Sequence, residues 1–446
     1  MLKNPVEKNL IFEKKQLTEG FFSGCKKTQK IGIEFEKIGV YEKTFQAAKY
    51  EDVVRLMLQY NKGELNGIFD GKSIIGMSCD DGNITLEPGS QFELSLLPQE
   101  NITDIKQKID QYNKETAELG EKLGIIWLGY GIQPLSTYKS IKVIPKKRYE
   151  LMGKYLPTVA TKPLVMMRET AGIQVGLDYS DEADAMKKFA LALKLSPIVC
   201  AIFSNSPVRG GKLTKYKSYR ALSWLNTDNA RCGLVSEKIF QKNTDFSFED
   251  YAEVLLDVPM IFIERPLEST GAIPVQNLTF RQYLKSGWLG FNATVEDWEL
   301  HCSLYFPDVR IKTYLEIRNH DNQRQNLIPA IPALWKGLLY NNDAIVAANE
   351  LLQTFTYRDF QAVRQKAPRY GLDFSVKKCK ISELAKEITG ISYQSLKTAG
   401  HGEESCLEPL IELLNKGLTP ADIIISNWQN CSNNNLFELI NYSKIA

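Results

Sequence analysis

The sequence predicts an α+β protein, one domain over residues 1–446 whose part from about residue 327 onward is mainly helical. Three observations carry this. Short runs in the first half alternate apolar and polar residues with period two, the pattern of an antiparallel sheet with one buried face. Between them lie longer stretches whose apolar residues recur three and four apart, as on a helix. Beyond Leu327 β-branched clusters thin out, helical spacing dominates, and no linker interrupts the pattern. With 446 residues, 43% of them hydrophobic and 24% charged, the chain has apolar material for an extensive core.

Taken in order, residues 31–36 form the first strand, with Ile31, Ile33 and Phe35 on one face and Gly32, Glu34 and Glu36 on the other. Residues 67–73 imitate a phosphate loop, but only three residues separate Gly67 from Gly71 where the phosphate-binding pattern needs four. A hairpin turn is the better reading. In residues 85–95, Glu87 and Glu93 stand on either side of a Pro88-Gly89 kink, and Phe92 and Leu94 bracket Glu93. Ile105, Ile109, Leu119 and Leu123 space a helix from about Thr103 to Leu123. Residues 167–178 read as a strand with Ala171, Ile173, Val175 and Leu177 opposed to Thr170, Gly172, Gln174, Gly176 and Asp178. Ser180, Asp181 and Glu182 start a helix that runs through Ala185, Phe189, Leu193 and Ile198 toward a loop at Asn205. Residues 314–318 place Tyr314, Glu316 and Arg318 opposite Leu315 and Ile317.

Composition removes several classes of function. Fifty-five basic against 53 acidic residues leave +2, which gives no bulk attraction to nucleic acid or to an anionic membrane. The longest uncharged apolar stretch, residues 195–203, is far below the roughly 20 residues of a membrane span, and the first residues lack a signal-peptide core, so residence in the cytoplasm is expected. Only His301, His320 and His401 are present, with no HExxH frame, and eight cysteines are scattered without a CxxC. Reduced, packed thiols are the expectation, and no GxGxxG supports a dinucleotide site.

The constructive signal is the polar face of the strands. It is rich in Glu, which strands disfavour, and in Gly, which weakens a strand unless something approaches closely. Carboxylates such as Glu34 and Glu36, with no histidine or thiolate beside them, suit hard Mg2+ or Mn2+, ions that usually carry nucleotide phosphates. Residues 204–220 add a basic loop with Arg209, Lys212, Lys215, Lys217 and Arg220, either an attractor of anions or a solvated surface. Arg220 differs from the rest because it precedes Trp224 and Asp228 in an amphipathic segment, where a fixed guanidinium can grip a carboxylate through two nitrogens.

An ordered series of motifs then carries a resemblance: IGIEFEK, ITLEPGSQFELS, GYGIQP, TAGIQVGLD, FSNSP, YRALSWLNTDNARCG, LDVPMIF, DWELHCSLYFPDVRIKTYLEIRNHD and PALWKGLLY. Together, from about residue 30 to 430, they are similar to glutamate-cysteine ligases of the plant and proteobacterial type. The resemblance implies a glutamine-synthetase-like cupped antiparallel sheet with helices on its convex side, holding Mg2+ ions and ATP. It implies ligation of the glutamate γ-carboxylate to the cysteine amine through a γ-glutamyl phosphate, the first step of glutathione biosynthesis.

By the same resemblance Glu34, Glu36, Glu87, Glu93 and Glu316 are metal ligands. Gln174, Arg318 and Lys312 lie toward the nucleotide, Arg220 holds the glutamate carboxylate, and Trp224 is beside it. Arg318, Glu36 and Glu316 are the groups expected to act in phosphoryl transfer. Glutamate, cysteine and ATP are the expected partners, with no nucleic acid or membrane and with a monomer or homodimer as the assembly. Two departures stand out: Gly176 replaces an asparagine of many relatives, and Glu169 an arginine of plant members. A related γ-glutamyl-amine ligase with another acceptor and an inactive binding scaffold remain as alternatives, and no residue is singled out as the base for the attacking amine.

Overall fold

A computed structural model describes residues 9–60, 66–242, 245–265, 271–431 and 435–445. The first eight residues, on which the expectation of no signal peptide partly rests, lie outside them. The centre is a nine-stranded antiparallel sheet formed by β1 (Ile31–Tyr41), β2 (Gly67–Asp70), β3 (Ser73–Cys79), β4 (Gly82–Leu86), β5 (Phe92–Gln99), β6 (Ile125–Leu128), β7 (Gly172–Leu177), β8 (Val309–Ile311) and β9 (Leu315–Asp321). Their order across the sheet is β8-β9-β7-β1-β5-β4-β3-β2, and β6 pairs with the far half of β1. β2 and β3 make the hairpin expected at Gly71, whose φ of 58° is the left-handed conformation that glycine adopts without strain.

The apolar faces of the strands are covered by helices. α1 (Tyr50–Tyr60) and α2 (Ile102–Leu123) pack on one side, and α2 begins and ends within a residue of the spacing read from the sequence. α3 (Lys147–Val159) and α4 (Pro163–Glu169) lead into β7. α5 (Glu182–Ile202) is capped by Asp181, whose side chain accepts from the Asp184 N–H, and its buried length lies against β8 and β9. α6 (Tyr219–Leu225) is short and capped by Ser218. The expected helical portion follows as α7 (Ala330–Leu339), α8 (Asn342–Leu352), α9 (Tyr357–Tyr370), α10 (Ile381–Ala399), α11 (Glu408–Asn415), α12 (Pro420–Asn430) and α13 (Asn435–Ser443), interrupted by one small hairpin at 375–380. α7 packs on β1 and β7 from behind, and one contiguous apolar cluster joins it to Ile33, Phe35, Ile173 and Val175. Among the described residues no helix is long and apolar enough to cross a membrane.

Two details differ from the sequence expectation, and a third, Lys37, lies outside it. Residues 167–169 close α4 instead of opening β7, because Pro163 at the first turn starts a helix that runs to Glu169. Residues 85–95 are two strands, not one kinked strand: the Glu87 N–H bonds to the Gln91 carbonyl, and Ser90 has φ 66°. Glu87 therefore belongs to the turn. Lys37 continues the apolar face of β1 and is fully buried. Its amine donates to Asn113 Oδ1 at 3.3 Å and to Thr116 Oγ1, and it stands 3.8 Å above the Tyr112 ring. Burial with no nearby carboxylate holds its pKa well below that of an ordinary lysine. Cys25, Cys79, Cys200, Cys232, Cys302, Cys379 and Cys406 are free thiols, and burial pushes Cys232 up to about 12.

Candidate active site

Antiparallel register lays the polar face of the sheet out in rows. Arg310 faces Glu316, Glu316 faces Gly176, and Gly176 faces Gly32. In the next row Gln174 faces Glu34 and Glu34 faces Ser95. In the third, Glu36 faces Glu93 and Glu93 faces Thr85. Two carboxylates directly opposite one another destabilise a bare sheet.

Glu34, Glu36, Glu87, Glu93, Gln174, Arg220, Trp224 and Arg318 line one cavity of about 250 Å3. Burial, reinforced by Glu87, pushes Glu36 up to about 7, although Arg220, the Gly172 N–H and Arg318 pull the other way. Burial and then the charges of Glu87, Glu34 and Glu36 raise Glu93 well above the usual carboxylate range. Glu34 is raised by burial and by Glu316, against Lys312, Arg318 and Arg310. The acids have turned to separate partners: Glu93 accepts from Thr85 Oγ1 at 2.8 Å, Glu36 from the Gly172 N–H at 2.6 Å, and Glu87 from the Tyr149 hydroxyl at 3.0 Å. As placed, no three His, Cys, Asp or Glu side chains among the described residues converge to hold an ion. The donor chemistry nevertheless fits a hard divalent cation, because four carboxylates lining one cavity, Glu93 buried and the other three half-buried, repel each other until positive charge lies between them.

Glu316 occupies a different position from the one expected of an open metal ligand. Arg310 grips it through Nε (2.7 Å) and Nη2 (3.1 Å), Lys312 Nζ lies 3.1 Å from Oε1, and Arg318 Nη1 lies 3.0 Å from Oε2. Burial works against its charge, but the three cations outweigh it and hold the carboxyl well below its usual range. With both oxygens engaged, Glu316 anchors cations at the rim of the acidic cavity instead of opening into it. Arg318 also donates to Gln174 Oε1, which ties the nucleotide-side candidates together.

Arg220 lies beside Glu36, on the same Gly172 whose N–H donates to that carboxylate. Asp321 accepts from the Asn205 N–H (2.8 Å), Ser206 Oγ (2.6 Å) and Ser218 Oγ (2.8 Å), and Ser218 Oγ in turn accepts from the Ala221 N–H. The FSNSP segment and β9 thereby fix the start of α6 and the Arg220 backbone, whose N–H donates to Ser206 Oγ at 3.2 Å. The guanidinium lies over Gly172, where a Cβ would sit 2.3 Å from Nη2. Nη2 donates to the Arg318 carbonyl at 3.1 Å, while Arg220 Nε and Trp224 Nε1 are buried donors with no hydrogen-bond partner. Buried donors left in this way want an acceptor, and a ligand carboxylate supplies one.

A family model, Glutamate-cysteine ligase family 2, matches residues 30–438. The chain belongs to this family. It is 34% identical over 418 residues to a chloroplastic glutamate-cysteine ligase of Nicotiana tabacum, covering 92% of this chain and 79% of that protein. With its counterpart in Arabidopsis thaliana it shares 35% over 413 residues, covering 91% and 78%. Among solved structures it is similar to the glutamate-cysteine ligase of Francisella tularensis in complex with AMP, with TM-score 0.56, 15% identity, and coverage of 94% of this chain and 88% of that one. That likeness establishes the same mixed architecture of helices and antiparallel sheet. The cytoplasmic expectation is corrected here, since the plant relatives are chloroplastic by name and point to a plastid instead.

The basic loop resolves into separate roles. Arg209 is paired through Nε (2.5 Å) and Nη2 (2.7 Å) with fully buried Glu169, and Lys217 binds Asp373 and, at 2.6 Å, Asp422, so neither is a free anion attractor. Lys212 and Lys215 are exposed. Sequence reasoning missed Lys146, Arg148 and Tyr149, which line the acidic cavity from α3 and the residue before it, and Arg310 from β8. The run PKKRY across the start of α3 was the available signal for the first three, and the alternation Val309-Arg310-Ile311 for the last.

Proposed function

We propose that this protein is a glutamate-cysteine ligase that joins the γ-carboxylate of glutamate to the amine of cysteine at the expense of ATP, forming γ-glutamylcysteine, ADP and phosphate. The carrying observation is one cavity lined by four carboxylates, Glu34, Glu36, Glu87 and Glu93, together with the Arg220 guanidinium seated on Gly172. Family membership and the names of the plant relatives support the same reading.

In the reaction an oxygen of the γ-carboxylate takes the γ-phosphoryl group of ATP, and the bond to the ADP oxygen breaks. The amine nitrogen then attacks the acyl carbon, the carbon–oxygen bond to phosphate breaks, and the nitrogen loses a proton. This chemistry asks a protein for positioning and charge neutralisation. Arg220 holds a glutamate carboxylate, and its unpartnered Nε supplies one of the donors. Arg318, which donates to Gln174, and Lys312, both paired with Glu316, are the cations that would turn to phosphate oxygens. Glu34, Glu36, Glu87 and Glu93 are the groups that would hold Mg2+ or Mn2+, which when bound neutralises phosphate charge and orients the donor.

Glu36→Gln tests the assignment. Turnover should fall by about a hundredfold or more, the loss typical of removing one charge-stabilising group. The metal-free variant should melt no lower than the parent, because a neutral amide replaces a carboxyl that burial already disfavours as an anion. Near-normal turnover at ordinary Mg2+ would remove Glu36 from the cation site.

A further inference from the structure

Arg220 is held from two sides. Its guanidinium rests on Gly172, which follows α4, and its backbone belongs to the first turn of α6. The separation of those two segments therefore decides where the guanidinium points. The two ends of α4 reach α6 by routes that meet at Tyr219, the residue before Arg220. At the start of α4 the Lys162 N–H donates to the Asn226 carbonyl at 2.9 Å, and the Lys162 amine donates to the Tyr219 hydroxyl at 3.3 Å. At its end Glu169 accepts from Arg209 Nε at 2.5 Å and Nη2 at 2.7 Å, and the Arg209 guanidinium lies 5.1 Å from the centroid of the Tyr219 ring. The Tyr219 N–H donates to the Ser206 carbonyl at 3.1 Å, so the ring stands on a fixed backbone. Glu169 is itself anchored, since Oε1 accepts from the Tyr138 N–H at 2.7 Å and its carbonyl from the Gln133 N–H at 2.8 Å. The hairpin that carries Arg209 is fastened to the same loop, with the Gly211 N–H donating to the Pro134 carbonyl at 2.8 Å. Gly172, Arg220, Tyr219, Arg209 and Glu169 thus form a closed ring of contacts, and Glu169 returns to Gly172 three residues along the chain.

We propose that Glu169 and Arg209 are positioning residues: touching no substrate, their pair fixes the spacing between the Gly172 seat and the start of α6, and so aims Arg220 at the glutamate carboxylate. This rests on the reading above that Arg220 holds that carboxylate. A buried ion pair adds little to stability beyond what apolar residues of similar volume supply, because desolvation offsets most of the attraction. What a two-pronged pair supplies and an apolar contact does not is a fixed direction. Here that direction runs from the end of α4 to the ring of the residue that precedes Arg220.

The KM values for glutamate, ATP and cysteine are to be measured, with the melting temperature of each protein, for the wild type, Glu169→Gln, the double variant Glu169→Leu with Arg209→Met, Arg220→Lys, and Arg220→Lys combined with Glu169→Gln. Glu169→Gln should raise the glutamate KM by about tenfold or more, the scale of a misplaced binding group, and leave the other two KM values within about twofold. The double apolar variant should melt close to the wild type and still show the raised glutamate KM, which a merely structural pair would not produce. Added to Arg220→Lys, Glu169→Gln should raise the glutamate KM by less than about twofold more, because the fork it aims is already gone. A glutamate KM within twofold of wild type in both Glu169→Gln and the double variant would overturn the proposal, as would an equal rise in all three KM values. Arg220→Lys separates the proposal from the reading beneath it. If that variant raises the glutamate KM and the Glu169 variants do not, only the proposal falls; if it leaves the glutamate KM unchanged, the placement of the carboxylate on Arg220 falls and the proposal with it.

Discussion

Gly172→Ala perturbs the seat of Arg220, proposed above to hold the glutamate carboxylate, without changing any charge. The new methyl would lie 2.3 Å from Nη2, 2.6 Å from Cζ and 2.8 Å from Nε of Arg220. Non-bonded carbon contacts settle near about 3.5 Å, so the guanidinium has to retreat by roughly 1 Å. It has little room to do so, because it is buried and packed by the Arg318 carbonyl at 3.1 Å and the Trp224 ring at 6.0 Å. The backbone tolerates alanine, since Gly172 does not have positive φ, and its N–H can keep the 2.6 Å bond to Glu36. Weakening one of two charge-assisted hydrogen bonds to a substrate carboxylate costs about 1.5–3 kcal/mol, or roughly 10- to 150-fold in glutamate KM. Steady-state kinetics with glutamate varied at saturating ATP and cysteine reads this directly, and Arg220→Lys, which keeps the charge but loses the fork, should show a defect of the same kind. A glutamate KM within twofold of wild type in Gly172→Ala would refute the placement of the carboxylate on Arg220.

Two further outcomes concern stability. Glu169→Leu should cost about 3–5 kcal/mol in denaturant unfolding, because it strands a largely buried Arg209, while the double variant Glu169→Leu with Arg209→Met should recover most of the loss; a single-variant cost under about 1 kcal/mol would contradict this. His301 is fully buried with Nε2 2.8 Å from the Leu255 carbonyl, and burial lowers its pKa to about 4. The unfolded chain takes up that proton near pH 6.5 and the folded chain does not. The contribution of His301 is therefore complete above about pH 6.5 and is lost as pH falls toward 4, at up to about 1.4 kcal/mol per pH unit. Unfolding free energies of wild type and His301→Gln should converge or cross in that sense between pH 6.5 and 4, and a constant difference would refute it.

The period-two alternation in residues 31–36 made the two faces of β1 legible, because a strand has no other way to place its side chains. In the structure β1 runs on past Glu36, and Lys37 falls on the buried face, where polarity argues against it. What makes the position tolerable, the Tyr112 ring with Asn113 and Thr116, comes from a helix more than 70 residues away along the chain. The Pro88-Gly89 pair signalled a break but not its kind, since a kink and a turn share those residues, and only the positive φ of Ser90 and the pairing of β4 with β5 distinguish them. Glu316 was correctly marked as a charged residue on the polar face. Its capture by Arg310 depends on the register of β8 against β9, which alternation does not specify. Glu169 and Arg209 looked like a departure and a loop cation when read separately, and their pairing is visible only in three dimensions.

The central claim is amine-dependent ligation driven by ATP, and phosphate release with glutamate and Mg-ATP fixed tests it most directly, comparing cysteine, 2-aminobutyrate, other amines and no amine, with the product mass measured in parallel. The account predicts release that depends on cysteine and a product of the mass of γ-glutamylcysteine. Release only with a different amine would contradict the assigned acceptor, and no ATP turnover with any amine would contradict the ligase itself.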